Sequence, residues 1–263
     1  MSYTVTKYPH GTFSWCDIFS KDIQTSKKFL ESLFGWTSLD MPTGKGRPDY
    51  TMFYLDGHDV AGGSPTFEAS MPSFWSSYVS VDNVDEIVSQ VEKLGGKITM
   101  PAMDVLDSGR MATIQDPTGA NVSIWQPKKH IGARIVNTMG AMCWNELYTR
   151  DMETAKMFYG KLFGWTFEQP KEMEGYTVVK NKGRSNGGIF PILPEMAGMP
   201  PCWMVYFTVK NLDESVAKVK KLGGHVYMES KDISVGRIAT VSDPTGAGMI
   251  LMEMSVTPDE WTE

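Results

Sequence analysis

Apolar and polar residues alternate from Phe13 to Phe19, the period of a strand with one buried face. The period then lengthens. Asp22 or Thr25 offers an N-cap, Phe29, Leu30, Leu33 and Phe34 fall at helical spacing, and Gly35 marks the end. Short strand-like runs follow at Trp36–Met41, Tyr50–Leu55 and Val60–Phe67, with Asp56-Gly57 as a turn. The order then repeats. A strand is expected over Phe74–Val81, and a helix carries Val84, Ile87, Val88, Val91 and Leu94, closed by Gly95-Gly96. Strands near Lys97–Met100, Gly109–Gln115 and Asn121–Gln126 complete it, the last two joined by the Asp116-Pro117-Thr118-Gly119 turn. The reading is β-α-β-β-β, twice.

The whole block is then duplicated. Trp15 to Asp22 (WCDIFSKD) returns as Trp144 to Asp151 (WNELYTRD), and Leu33-Phe-Gly-Trp36 as Leu162-Phe-Gly-Trp165. Gly62-Gly63 returns as Gly187-Gly188, Leu94-Gly-Gly96 as Leu222-Gly-Gly224, and Gly109-Arg110 as Gly236-Arg237. Asp116-Pro-Thr-Gly-Ala120 returns as Asp243-Pro-Thr-Gly-Ala247. Kept order with a nearly constant offset means one module copied and fused. The expected units are residues 1–126, a linker at 127–138, and residues 139–263.

Composition narrows the possibilities. With 41% hydrophobic and 21% charged residues among 263, the chain can bury a core. A net charge of −6 with scattered Lys and Arg argues against a nucleic-acid backbone as partner. No apolar run approaches the roughly 18 residues of a spanning helix, and no signal peptide is visible at the start. Cys16, Cys143 and Cys202 form no C-x-x-C and no even disulfide set. The expectation is a cytoplasmic protein with no membrane partner. Whether it forms a homodimer stays open.

With F-x-G-W after the first helix and D-P-x-G before the last strand, in two ordered copies, the chain resembles the vicinal-oxygen-chelate superfamily. That group contains glyoxalase I, extradiol dioxygenases, fosfomycin-resistance enzymes and bleomycin-binding proteins. The resemblance implies an α+β fold, the glyoxalase/bleomycin-resistance/dioxygenase fold: two U-shaped mixed sheets, each with helices outside and a pocket inside. Metal-dependent members place a His or Glu on strands one, four, five and eight. Carried onto this chain, those places hold Trp15, Gly63, Ser76 and Ser123 in module 1, and Trp144, Gly188, Met204 and Ile250 in module 2. Neither set is a ligand quartet, so the expectation is no metal and no cofactor. None of His10, His58, His130 and His225 has a counterpart in the other module, and each reads as an ordinary surface residue.

Strand alternation gives the pocket-facing residues. Trp15, Asp17 and Phe19 share one face, as do Ser76 and Tyr78, and Ser123 and Trp125. Module 2 supplies Trp144, Glu146 and Tyr148, Met204 and Tyr206, and Ile250 and Met252. Asp17 and Glu146 are the candidate catalytic groups, since desolvation among aromatic rings raises a carboxyl pKa toward general-base values. The alternative is an ion pair with Arg110 and Arg237, or with Lys21 and Arg150. Arg110 and Arg237 either hold a substrate anion or brace their glycine turns. Module 1 should be roomier and wetter, module 2 tighter and more apolar. The expected partner is a small organic molecule, and three functions stand open: a metal-free lyase-, isomerase- or hydroxylase-like enzyme, a drug- or metabolite-sequestering protein, or a metal-dependent lyase or dioxygenase with atypical ligands.

Overall fold

The computed structural model describes residues 4–255 except 45, 47 and 172. Module 1 runs β1 (Thr12–Ser20), α1 (Ile23–Phe34), β2 (Thr37–Met41), β3 (Tyr50–Leu55), β4 (His58–Pro65), β5 (Phe74–Ser80), α2 (Val84–Val91), β6 (Lys97–Val105), β7 (Gly109–Gln115) and β8 (Asn121–Pro127). Module 2 runs β9 (Met142–Thr149), α3 (Met152–Phe163), β10 (Thr166–Glu168), β11 (Thr177–Asn181), β12 (Arg184–Pro191), β13 (Cys202–Thr208), α4 (Leu212–Lys221), β14 (His225–Ile233), β15 (Gly236–Ser242) and β16 (Gly248–Met254). Each module forms one eight-stranded mixed sheet, ordered β2-β3-β4-β1-β5-β8-β7-β6 and β10-β11-β12-β9-β13-β16-β15-β14. The fold is α+β, as the repeat predicts. No helix among the described residues is long and apolar enough to cross a membrane.

Local details follow from side-chain chemistry. Asp22, not Thr25, caps α1: its carboxylate accepts from the Thr25 backbone N–H at 3.1 Å. Gly35 closes the helix with φ 75°, a left-handed conformation that glycine adopts without strain. The helix expected to reach Leu94 gives way after Val91 to a single 3-10 turn over Glu92–Leu94. β6 runs to Val105, beyond the expected Met100, because two register shifts carry the pairing past Pro101. His58 belongs to β4, which starts earlier and stops earlier than the apolar run suggested.

The helices are shared between modules. One core joins Ile18, Phe29, Leu30 and Phe53 of the first half of module 1 to Phe207, Leu212, Val219 and Leu251 of the second half of module 2. A second joins Val79, Ile87, Ile114 and Ile124 to Leu147, Phe158, Tyr159 and Ile189. The repeated motifs form the joint. Trp36 Nε1 donates to the Gly140 carbonyl at 2.8 Å, and Trp165 Nε1 to the Gly11 carbonyl at 2.7 Å, each at the entry to the other module's first strand. Asp116 Oδ1 accepts the Thr118, Gly119 and Ala120 N–H groups of its own turn. Its Oδ2 accepts from the Tyr159 hydroxyl at 2.9 Å. Asp243 does the same, capping its turn and accepting from the Ser26 hydroxyl.

Candidate functional site

Pairing register places side chains on the inner face of each sheet. In module 1, Asp17 lies beside Gly62 of β4 and Ser76 of β5, while Trp15 lies beside Tyr78. Tyr78 pairs with Ser123, and Ser123 with Thr113. Across the other arm Gly62 pairs with Met52, and Tyr50, two residues earlier on β3, shares that face. A bulge at Ser14 sets Trp15 opposite Tyr78.

These rows converge on one buried carboxylate. Asp17 is 5% exposed. Its Oδ1 accepts from Trp15 Nε1 at 2.8 Å and from the Tyr50 hydroxyl at 2.6 Å, and its Oδ2 from the Tyr78 hydroxyl at 2.6 Å. Trp15 Nε1 also reaches the Tyr50 oxygen at 3.1 Å. Desolvation pushes the Asp17 pKa up, against the pull of the hydrogen bonds from Tyr50, Tyr78 and Trp15. A chain of hydroxyls lies alongside, with Ser76 and Ser123 3.1 Å apart and Thr113 and Ser123 3.0 Å apart. Phe19 stacks on Phe74 at 5.0 Å and meets the exposed Phe67 at the same distance.

Module 2 repeats the plan with larger, more apolar parts. Glu146, also 5% exposed, lies beside Gly188 and Met204. The Tyr206 hydroxyl donates to Glu146 Oε1 at 2.7 Å, and the Tyr148 and Tyr176 hydroxyls lie near enough to favour the charged carboxylate. Trp144 Nε1 donates to the Tyr176 hydroxyl at 3.0 Å. Burial again raises the carboxyl pKa, opposed by the tyrosine bonds. Around it Ile250, Met252 and Ile238 form a separate apolar cluster with Met196, Met199, Met204, Met228 and Met254. The residues differ in polarity, a row of hydroxyls in module 1 against a methionine- and isoleucine-rich cluster in module 2.

Several expectations change. Arg110 and Arg237 do not face the pockets. Arg110 pairs across strands with Gln126, whose side chain accepts from Val84 N at the start of α2, so both lie on the helix side. There Arg110 forks onto Asp85 at 2.9 and 2.7 Å. Arg237 sits opposite Glu253, which accepts from Leu212 N of α4, and pairs with Asp213 at 3.0 and 2.9 Å. Both arginines are helix-side ion-pair partners. The carboxylates are therefore not their ion-pair partners either: Asp17 and Glu146 are held by phenols. Gly63 also faces the helices, where a Cβ would meet Ile18, Ile23 and Phe53 at about 3 Å, and the structural equivalent of Gly188 is Gly62. His130 is no surface residue. Its side chain is 18% exposed and lies edge-on to Trp15, ring centroids 4.6 Å apart.

Tyr50 and Tyr176 escaped the motif reading, while Gly62 entered it only as part of a repeat and His130 only as a surface residue. Tyr50 opens β3 and Tyr176 directly precedes β11, equivalent places in the duplicated blocks but without any flanking motif. Gly62 and Gly188 are required where they stand: a Cβ would come within 1.7 Å of the Tyr50 oxygen and 2.0 Å of the Tyr176 oxygen. The residues of these rows do not fit a divalent cation. Each module offers one carboxylate whose oxygens already accept O–H or N–H donors, with glycine on the fourth strand. Among the described residues no three His, Cys, Asp or Glu side chains gather around one point.

Comparison with known proteins agrees with this architecture. Mycobacterium tuberculosis CFP32, which carries a provisional glyoxylase name, is 42% identical over 248 residues, spanning 92% of this chain and 94% of that protein. The anthracycline biosynthesis protein DnrV of Streptomyces peucetius is 32% identical over 265 residues, spanning 95% and 96%. Among solved structures, the Mn(II)-bound glyoxalase of Novosphingobium aromaticivorans superposes with a TM-score of 0.64 at 14% identity, covering 96% of this chain and 86% of that one. At such identity the likeness speaks for the fold alone. The family profile matches residues 12–124 and 134–249, one match per module, and the chain belongs to the Glyoxalase/Bleomycin resistance protein/Dioxygenase superfamily.

Proposed function

We propose that each inner face takes up a small, largely aromatic organic molecule without the help of a metal ion, and that module 1 also moves a proton on it. One observation carries this reading: in both modules a buried carboxylate on the first strand is held by tyrosine hydroxyls against a tryptophan. A cation would compete with those donors for the carboxyl oxygens. In module 1 the half-buried Tyr50 donates its hydroxyl to Asp17. Backed by a carboxyl of raised pKa, it can give a proton to a ligand oxygen or take one, with Asp17 as the reservoir. The flat walls of Trp15, Phe19 and Trp125 suit a planar ring system. A relative named for anthracycline biosynthesis supports a polycyclic phenol as the ligand class.

Module 2 favours holding over chemistry. Its methionine-rich lining moulds to an apolar body, and no serine pair stands beside the carboxyl. Sequestration of an apolar ring system is the reading for that cleft.

Titration with 2-hydroxyanthraquinone, followed by tryptophan fluorescence, tests both. Asp17→Asn and Glu146→Gln are expected to weaken binding at their own module about tenfold or more. Melting temperatures should stay within a few degrees, and EDTA should leave wild-type binding unchanged. If each substitution instead costs about 3–5 kcal/mol of stability and binding is untouched, the carboxyls are structural and the reading fails.

A further inference from the structure

The chain joining the modules is pinned beside Trp15 and Trp125 of module 1. Lys128 N and His130 N donate to the Ser108 carbonyl, both at 3.0 Å, and the Trp125 indole donates to the His130 carbonyl at 2.9 Å. Farther on, Ala133 N donates to the Ser14 carbonyl and Arg134 N to that of Asp59, both at 2.8 Å. The Tyr8 hydroxyl donates to the Ala133 carbonyl at 2.7 Å. Gly132 passes β1 so closely that a Cβ would lie 2.4 Å from the Ser14 oxygen. The segment therefore spans from the β7–β8 arm to β1 and β4, and His130 hangs from its middle.

The His130 ring packs edge-on to Trp15, at 4.6 Å and 86°, and to Trp125, at 6.0 Å and 72°. Its Nδ1 faces the Asp59 carboxylate at 3.6 Å, which Arg134 Nε approaches at 3.8 Å. Its Nε2 is fully buried and has no hydrogen-bond partner among the described residues. Native interiors leave few such atoms unpaired. The carboxylate beside Nδ1 favours the proton on that nitrogen, which leaves Nε2 an acceptor in want of a donor.

We propose that His130 is a ligand-binding residue of the module 1 site, its Nε2 accepting a hydrogen bond from the hydroxyl of a phenol or enol whose flat body rests on Trp15 and Trp125. This rests on the reading of that inner face as a ligand site, and it names the group the ligand must carry. Asp17 and Tyr50 then address one polar atom of the ligand and His130 another.

The test uses 2-hydroxyanthraquinone and its methyl ether, 2-methoxyanthraquinone, in a Glu146→Gln background that weakens module 2, with the module 1 signal read from Trp15 and Trp125. Wild-type module 1 is expected to prefer the hydroxyl compound tenfold or more. His130→Phe keeps a ring against Trp15 but has no nitrogen, and should abolish that preference while leaving the weaker methoxy binding unchanged. His130→Gln offers an amide oxygen in place of the ring nitrogen and should restore part of it. A purely structural role would rank the two variants by melting temperature and leave the hydroxyl preference intact. In the wild type, the Nε2 nitrogen resonance should shift on adding the hydroxyl compound and not on adding the ether. Equal preference in His130→Phe, or an unmoved resonance under saturating probe, overturns this inference alone, provided Asp17→Asn still weakens binding. Failure of both compounds to bind module 1 at all overturns the site reading and this inference with it.

Discussion

A carboxyl group placed in an apolar interior needs donors, and here they are tyrosines rather than cations. That choice has a pH signature. The folded-state pKa values of Asp17 and Glu146 are raised above their ordinary values of 3.8 and 4.5. The folded protein thus holds these protons better than the unfolded chain does, and the associated stability is complete below those ordinary values. It is lost as pH rises through the raised folded values. Asp17→Asn and Glu146→Gln remove this loss, so their stability relative to wild type should improve steadily as pH climbs from about 4 toward neutrality, as urea melts across that range would show. The neighbouring glycine gives a steric counterpart. Gly62→Ala pushes a methyl group into Tyr50 and Asp17, at an expected cost of roughly 1–3 kcal/mol. Adding Tyr50→Ala should return part of it, a non-additivity readable in a double-mutant cycle.

Among the elements, the joint between modules depends on side chains that the repeats advertise without explaining. Asp116 caps its own turn with one oxygen and takes the Tyr159 hydroxyl with the other, while that hydroxyl accepts from Trp203 Nε1 at 2.9 Å. Tyr159→Phe strands both partners in the core, and a loss of about 1–3 kcal/mol in chemical denaturation is expected. The succession of strands and helices along the chain and the ends of α1 were legible in the sequence because alternation, capping chemistry and duplication are local or periodic signals, and the resemblance supplied the sheet they form. Trp15, Asp17, Tyr78 and their module 2 counterparts were legible for the same reason. Tyr50 and Tyr176 were not, since their approach to the carboxyl depends on strand pairing across the sheet. Arg110 was ambiguous until its cross-strand partner Gln126 fixed its face. His130 was invisible because a linker carries no period from which burial can be read.

At the scale of the whole molecule, neither module owns a complete core. Phe29 and Leu30 of α1 are buried with Leu212, Val216 and Val219 of α4, and Phe158 of α3 with Ile87 and Val91 of α2. The two sheets should therefore melt together. Calorimetry is expected to show a single transition with matching calorimetric and van't Hoff enthalpies, although the chain holds two sheets. Residues 1–136 expressed alone should fail to give a cooperative transition, and two separate peaks from the full chain would refute the shared-core account.

The tyrosine lying over Gly62 has a consequence for the history open to this chain. Relatives that hold metals draw a ligand from the fourth strand, yet any side chain introduced at Gly62 or Gly188 begins with a Cβ inside the space of a phenol oxygen. A glycine-to-histidine or glycine-to-glutamate change therefore displaces that tyrosine oxygen, and the displacement uncaps a buried carboxyl. Each first step away from this arrangement is a step down, in both modules. A fourth-strand ligand and the phenol beside the carboxyl thus compete for one small volume, and a change at either position calls for a compensating change at the other.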